Sequence, residues 1–200
     1  MHKYVNDSIS PREYIEKMMG IVLQIHIAEQ INNNSAIVTL PAGYTVVREG
    51  EKAYSSYFIL QGVVRGYYID EQGNDITKCF SSEGDFFSSE GLRTDKESSF
   101  TIECLENCKC IKFSYEFIRQ IVMHNDDLRE IINERYYQEV EKLEVRAKSL
   151  ILMSAEERYN DFCTQYPILQ NRIALKYIAS YIGVRAASLS RIRKNIRNSY

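Results

Sequence analysis

Apolar and polar positions follow two different periods along this chain, and the period changes twice. Near the N-terminus the apolar residues recur every three or four positions, which is the period of a helix. Between residues 35 and 113 they form short runs separated by turn residues, which is typical of strands. After Ser114 the helical period returns. The pattern therefore predicts an α+β protein with a block of strands between helical segments.

The first helix is predicted to begin at Ser10-Pro11-Arg12-Glu13. Serine can cap a helix, proline suits its first position, and glutamate three residues after the serine completes a capping box. The asparagine run at 32–34 is expected to end the helix. Its apolar face is predicted to contain Tyr14, Ile15, Met18, Met19, Val22 and Ile25.

Seven short strands are predicted between the helical segments. Glycines stand at their corners, and the sequence Asp70 to Asp75 has the composition of a hairpin turn. Many short strands at this spacing indicate an antiparallel sandwich or jelly roll. The strands are predicted at 36–40, 44–48, 57–60, 63–69, 76–80, 100–105 and 108–113.

The longest helical pattern runs from Asp127 to Met153, after a short helix over 115–123. Its apolar residues recur at spacings of three and four, as in a coiled coil. A helix of about 40 Å cannot bury this whole stripe on one small sheet. Pairing with a second copy in a homodimer is the simplest use of the stripe, and packing of a lone helix along the strand domain is the alternative. The predicted dimer interface comprises Leu128, Ile132, Tyr136, Val140, Leu143, Ala147 and Leu150.

The C-terminal segment has the pattern of a helix-turn-helix. A second capping box, Ser154 to Glu157, begins a helix that ends near Gln165. An apolar stripe over 173–182 then predicts another helix, which Gly183 ends. In the last helix Leu189, Ile192 and Ile196 form the buried stripe, and Ser188, Ser190, Arg191, Lys194 and Asn195 lie on other faces. The predicted domains are 1–125, 126–153 and 154–200.

The charge distribution supports a polyanion-binding C-terminus. The whole chain has a net charge of −2, yet no acidic residue follows Asp161. Residues 1–161 carry 18 basic against 27 acidic residues. A mildly acidic protein with a basic end is expected to bind nucleic acid there, although a solvated basic hairpin is the alternative. The basic residues after Asp161 are Arg172, Lys176, Arg185, Arg191, Arg193, Lys194 and Arg197.

Other function classes find little support. No apolar run has the length of a membrane span, and the N-terminus lacks a signal peptide, so we expect a cytoplasmic protein. Cys104, Cys108 and Cys110 are clustered, but no second pair completes a metal site, and Cys104 and Cys110 are expected to point into the core. We therefore expect no metal and no cofactor.

An enzyme is also not expected. A cupin-type metalloenzyme would be the enzymatic alternative for a jelly roll, but no histidine lies on a predicted strand. The sequence has no Gly-x-Ser-x-Gly elbow, P-loop or GxGxxG either.

Three stretches carry a resemblance to the cyclic-AMP receptor protein and Fnr (Crp/Fnr) family of bacterial transcription regulators. LPAGYTVVREGEKAYSSYFILQGVVRGYYIDEQGNDI resembles the first half of the family's roll. GDFFSSEGL resembles the start of its phosphate-binding cassette, and YIASYIGVRAASLSRIRKNI resembles its DNA-reading end. The resemblance implies a cyclic-nucleotide-binding-like N-terminal jelly roll, a long dimerisation helix and a C-terminal helix-turn-helix. It also implies a homodimer that binds a pseudo-palindromic site in double-stranded DNA, with RNA polymerase as a further partner.

Site roles follow from the resemblance by position. Arg185, Ser188, Ser190 and Arg191 are the implied DNA contacts, and Arg191 is the expected base reader because a guanidinium can bind O6 and N7 of guanine together. Arg193, Lys194 and Arg197 are expected to contact phosphates.

The effector pocket is implied at Glu90, Gly91, Ser98 and Ser99. Cyclic-nucleotide binders place a glutamate on the ribose and an Arg-Ser or Arg-Thr pair on the phosphate. Here Glu90 is one position late, and Ser98 or Ser99 stands at the arginine position. Cyclic AMP is therefore not expected to be the effector. The roll either binds another effector or serves as a scaffold for the dimer, and a sensing module that acts through protein contacts is the alternative function.

Overall fold

A computed structural model of the chain describes residues 9–198, so residues 1–8 and 199–200 of the predicted first and last domains lie outside the described residues. The chain divides into two compact units. The first contains the residues up to Tyr68 together with Cys79–Asp126. The second contains Ile69–Lys78 and the residues from Asp127 onward. A hairpin tip therefore belongs to the same unit as the C-terminal helices.

Two four-stranded sheets form the roll, in the orders β1-β8-β3-β6 and β2-β7-β4-β5. The pairs β1–β8, β3–β8 and β4–β7 run antiparallel. The predicted jelly roll is confirmed, and the sequence pattern missed only the two-residue strand β6. The strands are β1 (Ser35–Leu40), β2 (Thr45–Val47), β3 (Ser55–Gln61), β4 (Val64–Ile69), β5 (Asp75–Ser81), β6 (Phe86–Phe87), β7 (Thr101–Cys104) and β8 (Cys108–Ser114).

The core of the roll combines aromatic, branched and thiol side chains. The rings of Tyr57 and Phe87 stack with centroids 4.9 Å apart. Cys104 and Cys110 are buried in the same cluster, as predicted, and Cys108 joins them. A hydrogen bond with Cys108, reinforced by burial, raises the pKa of the Cys104 thiol, and burial raises the pKa of Cys110 to about 12. These two thiols therefore stay protonated at neutral pH and act as small apolar residues.

The predicted single N-terminal helix is wrong, because the chain forms two helices there. The capping box is confirmed, since the Ser10 N–H donates to Glu13 Oε2 at 2.8 Å. The first helix ends early because Gly20 takes the left-handed conformation at φ 69°. Val22, predicted on the buried face, is 93% exposed in the connection. The helices of this unit are α1 (Pro11–Met19), α2 (Ile25–Asn33), α3 (Gly91–Thr94) and α4 (Tyr115–Met123).

The second unit is helical apart from the hairpin tip. The predicted capping box at its second helix is confirmed by two hydrogen bonds, Ser154 N to Glu157 Oε2 at 2.8 Å and Glu157 N to Ser154 Oγ at 3.3 Å. A 3₁₀ turn, Leu169–Asn171, follows that helix. No helix in the described range, the longest included, is long and apolar enough to cross a membrane. The helices are α5 (Asp126–Leu152), α6 (Ala155–Gln165), α7 (Leu175–Tyr181) and α8 (Ala186–Asn198).

Replacement of Gly62 by alanine is predicted to destabilise the roll more than replacement of Gly43. Both glycines have positive φ, 109° and 79°, so both variants carry backbone strain of about 1–2 kcal/mol. A Cβ at Gly62 would lie 2.6 Å from Cys108 Sγ and 2.8 Å from Cys108 Cα, whereas one at Gly43 meets nothing within 4 Å. Urea unfolding should therefore show an extra loss of about 1–3 kcal/mol for Gly62→Ala. Equal losses for the two variants would contradict this packing argument.

Candidate functional site

The turn between α7 and α8 has the geometry of a helix-turn-helix. Gly183 takes φ 72°, and the Val184 N–H donates to the Ala179 carbonyl at 2.9 Å, which closes the end of α7. The next helix starts at the Arg185 carbonyl, which accepts from Ser188 N at 2.9 Å and Leu189 N at 3.1 Å. The prediction that Gly183 ends the first helix is confirmed. That helix starts at Leu175, two residues later than the apolar stripe suggested.

The last helix, α8, presents one apolar and one polar face. Leu189 is fully buried, and Ile192 and Ile196 are half-buried, as the periodicity predicts. On the opposite side Ser190, Arg191 and Lys194 are exposed. This outward face offers a hydroxyl, a guanidinium and an ammonium, which are suitable donors for base edges and phosphates.

The remaining candidate DNA contacts lie outside this outward face. Burial raises the pKa of the Tyr159 phenol in α6, and the positive charges of Arg193 and Arg197 partly oppose that rise. Arg193 is half-buried, and Arg197 is exposed. Arg185 is exposed just before the helix, and Ser188 is half-buried in its first turn. The cations of α8 therefore differ in exposure, since Arg191, Lys194 and Arg197 are exposed and Arg193 is half-buried.

Two arginines outside α8 bind the end of α7. Arg158 donates from Nε to the Ile182 carbonyl at 2.7 Å and from Nη1 to the Met153 carbonyl at 2.6 Å. The Arg146 guanidinium stacks on the Tyr181 ring at 4.3 Å. That ring also meets Phe162 of α6, with centroids 5.7 Å apart. The sequence pattern missed both arginines, because their partners are carbonyl groups and side chains distant in sequence.

The predicted dimer stripe on α5 is largely uncovered in the single chain. Large side chains along it, such as Tyr136 and Leu143, remain 46% and 47% exposed. An uncovered apolar stripe on a 27-residue helix is a surface available for another chain. Ile132, Tyr136, Leu143, Ala147 and Leu150 are exposed, and Leu128 and Val140 are half-buried.

The cassette in the first unit is closed by its own hydrogen bonds. Glu90 Oε1 accepts from the Ser99 N–H at 2.8 Å, and the Ser89 hydroxyl contacts Glu90 Oε2 at 3.2 Å. The Ser98 hydroxyl donates to the Phe100 carbonyl at 2.6 Å. A Cβ at Gly91 would lie 2.3 Å from the Lys96 carbonyl oxygen, so the backbone packs tightly there. The four predicted pocket residues therefore lie together, but Glu90 and Ser98 already form hydrogen bonds with backbone groups of the protein.

The first unit also contains a buried ion pair. A buried guanidinium in this unit belongs to Arg65, and its Nε lies 2.6 Å from Glu103 Oε1. That guanidinium also stacks on Tyr67 at 4.2 Å, so its charge is already neutralised inside the protein. Next to the cassette lies an open cavity of about 270 Å³. Its lining includes Val47, Tyr57, Ser88, Ser89, Ile102 and Lys112.

Comparisons with known proteins agree with this architecture. The family model described as "Cyclic nucleotide-binding domain" matches residues 37–125. The cAMP-activated global transcriptional regulator CRP of Pasteurella multocida (strain Pm70) is 32% identical over 89 residues, which are 44% of this chain and 43% of that protein. The protein of the same name from Salmonella typhimurium (strain LT2) is 22% identical over 169 residues, 79% of this chain and 80% of that one.

A solved structure shows the same fold. FixK2 from Bradyrhizobium japonicum aligns with a TM-score of 0.73 at 16% identity, over 82% of this chain and 85% of its own. The family-model match over residues 37–125 and the curated relatives confirm that the chain resembles the Crp/Fnr transcription regulators. The solved structure confirms the fold, a jelly roll followed by a long helix and a helix-turn-helix.

Proposed function

We propose that this protein is a transcription regulator that binds a specific sequence in double-stranded DNA through α8. The observation that carries the proposal is the exposed face of Ser190, Arg191 and Lys194 on the second helix of a helix-turn-helix. The second helix of such a motif enters the major groove, where its side chains reach base edges. The absence of acidic residues after Asp161 removes repulsion from the phosphates.

Within this interface the cations have different roles. Arg191 reads a base, because an exposed guanidinium can donate two parallel hydrogen bonds to guanine. Arg185, Ser188 and Ser190 contact the DNA around it, and Lys194 binds phosphate as a point charge. We assign Arg193 and Arg197 flanking phosphate contacts, with a smaller contribution from Arg193 because it is half-buried.

Replacement of Arg191 by alanine should weaken binding to the specific site by about 1–3 kcal/mol and change binding to random duplex little. The matched control is Lys194→Ala, one turn along the same helix face, which should weaken binding to both duplexes alike. Titrations by fluorescence anisotropy, with a site that the wild-type protein selects from a random-sequence pool, measure both effects. Equal losses on the two duplexes for Arg191→Ala would remove Arg191 as a base reader.

The active form in this proposal is a homodimer that pairs through the α5 stripe. A two-fold dimer presents two recognition helices about 34 Å apart, which matches successive major grooves and a pseudo-palindromic site. The support is the uncovered stripe itself, since apolar side chains at a coiled-coil spacing gain stability when a second helix covers them.

Substitution of Leu143 by lysine should dissociate the dimer, because it places a charge inside the proposed seam. Gln138→Lys is the matched control, because it adds the same charge on the opposite side of α5, where the exposed Gln138 amide donates to Glu134 Oε1 at 3.2 Å. Sedimentation equilibrium should give a dissociation constant raised at least about tenfold for Leu143→Lys and unchanged for Gln138→Lys, as expected for burial of a charge. An unchanged dimer in Leu143→Lys would refute this interface.

We further propose that cyclic AMP is not the effector of this protein. Glu90 is already bonded to the Ser99 amide, and no arginine stands beside it at Ser98 or Ser99. An effector of different chemistry would use the cavity beside the cassette, and its identity is left open. RNA polymerase is the further partner in this proposal, as for a regulator that acts at promoters.

Calorimetric titration of the protein with cyclic AMP should therefore give no binding heat at micromolar concentrations. A phosphate without a guanidinium loses its bidentate, charge-assisted hydrogen bonds. The control is Ser98→Arg, which restores the missing cation and should bind more tightly than the wild type if the missing guanidinium limits affinity. Micromolar binding by the wild type would overturn the proposal.

The second candidate function is a sensing module that acts through protein contacts. The exposed stripe on α5 is the observation that favours it, because such a stripe can bind a different protein. A salt series separates the two candidates: a DNA regulator with this many cations should lose affinity steeply as salt rises. A protein-binding module should bind DNA weakly at every salt concentration.

A further inference from the structure

The tip of the β4–β5 hairpin, Ile69–Lys78, belongs to the compact unit that contains α5, α6, α7 and α8. Its turn is fixed locally by Asp70, whose carboxylate accepts from Gln72 N at 3.0 Å and Asn74 N at 2.8 Å. The Asp70 N–H in turn donates to the Asn74 carbonyl at 3.0 Å. The Asn74 side-chain amide also donates to both carboxylate oxygens, and together with the bonds from backbone N–H groups it lowers the pKa of Asp70 and keeps the turn in one conformation. The hairpin tip is therefore a preformed element that can support its neighbours.

The first contact between the hairpin and the helix-turn-helix is made by Ser180 of α7. The Thr77 N–H donates to Ser180 Oγ at 2.8 Å, and the same hydroxyl donates to the Asp75 carbonyl at 3.0 Å. Strand β5 is at the edge of its sheet, and the Ser180 hydroxyl bonds to the backbone of two of its residues. The Ser180 hydroxyl thus supplies the donor and acceptor that a neighbouring strand would supply.

The second contact is made by Arg146 of α5. Its guanidinium donates to the carbonyls of Lys78 and Thr77 in the hairpin, the latter at 2.8 Å, and to the Tyr181 carbonyl of α7 at 3.1 Å. It also lies 4.3 Å above the Tyr181 ring. One side chain therefore joins the hairpin, the long helix and the last turn of α7. Thr77, between the two contacts, is fully buried.

Both contacts lie close to the turn that aims the recognition helix. Ser180 and Tyr181 are in the last turn of α7, and Gly183 follows at once. A rotation of α7 would break the Ser180 hydrogen bonds and the Arg146 bond to Tyr181 together. The orientation of α7 relative to α5 is thus set by the hairpin as well as by the helix core.

We propose that Ser180 and Arg146 are positioning residues for DNA recognition: by docking the hairpin tip they fix the direction in which α7 and α8 leave α5. In a homodimer that joins through α5, this direction sets the distance between the two recognition helices. The inference rests on the proposed function as a dimeric DNA-binding protein. Neither residue needs to touch DNA for this role.

The test measures the tolerance of binding to half-site spacing. The wild-type protein first selects a site from a random-sequence duplex pool, and the two half-sites are then moved together or apart by one and two base pairs. Each base pair rotates one half-site by about 35° around the helix axis, so a rigid dimer should bind one spacing best. Ser180→Ala should bind the best spacing about five- to tenfold more weakly, because two hydrogen bonds are lost, and should bind the altered spacings as the wild type does.

Three further variants separate positioning from general stability. Ser180→Thr keeps the hydroxyl and should restore the wild-type spacing profile. Arg146→Met should flatten the profile like Ser180→Ala, whereas Lys148→Met, which removes an exposed charge two residues along α5, should leave it unchanged. Hydrogen exchange gives an independent readout, since the Thr77 amide should lose its protection in Ser180→Ala.

The outcomes distinguish a failure of DNA binding from a failure of the positioning role alone. A wild-type protein that selects no DNA site would defeat the proposed function and this inference with it. Selective wild-type binding, together with a uniform loss at every spacing or an unchanged profile in Ser180→Ala and Arg146→Met, would defeat only the positioning role. A flattened profile in both variants, restored by threonine at 180, would establish it.

Discussion

The carbonyl groups at the end of α7 are the constraint on which the second unit depends. A helix ends with carbonyls that have no partner inside the helix, and its C-terminus carries partial negative charge. Here two guanidiniums bind consecutive carbonyls, Arg146 at Tyr181 and Arg158 at Ile182. These arginines belong to α5 and α6, so both helices pack against the end of α7. The turn at Gly183 and the start of α8 follow from that assembly.

In the first unit the polar groups near the cassette bond to neighbours within the roll. In the cassette Glu90 and Ser98 bond to backbone groups of the same segment, and the buried Arg65 is paired with Glu103. Ser98 and Arg65 are buried, so the loss of these bonds would leave a buried polar group without a partner, which costs about 1–3 kcal/mol for a neutral group such as the Ser98 hydroxyl. Glu90 and Ser98 therefore already have hydrogen-bond partners within the protein. The exposed face of α8, by contrast, leaves its side chains to solvent, which is the condition for binding a polyanion.

The sequence predicted the elements of the fold better than the contacts among them. Capping boxes at Ser10 and Ser154 located two helix starts because serine and glutamate satisfy local backbone groups. The N-terminal helix was predicted as one piece because its apolar spacing continues past Gly20, where only the left-handed φ reveals the break. The strand β6 was too short to show a period.

The site was predictable to a similar extent. The exposed face of α8 followed from periodicity, because the buried stripe of Leu189, Ile192 and Ile196 leaves only one side for a partner. The support behind it could not be predicted, since Ser180 bonds a strand 103 residues earlier in the chain. A lone serine in an apolar helix and one arginine among many on α5 carry no signal for such partners.

The two proposed roles of α5 meet at Leu150. This residue lies at the C-terminal end of the predicted dimer seam, and its Cδ2 would be 3.2 Å from a Cβ built on Gly183. Gly183 is therefore required twice, by its φ of 72° and by the approach of Leu150. Leu150, a residue of the predicted seam, is thus within contact range of the turn before α8. Arg146, one turn earlier on α5, binds the hairpin. Packed side chains shift little without disturbing their neighbours. In the proposed dimer, the position of the partner's α5 along the seam and the direction of α8 therefore depend on each other.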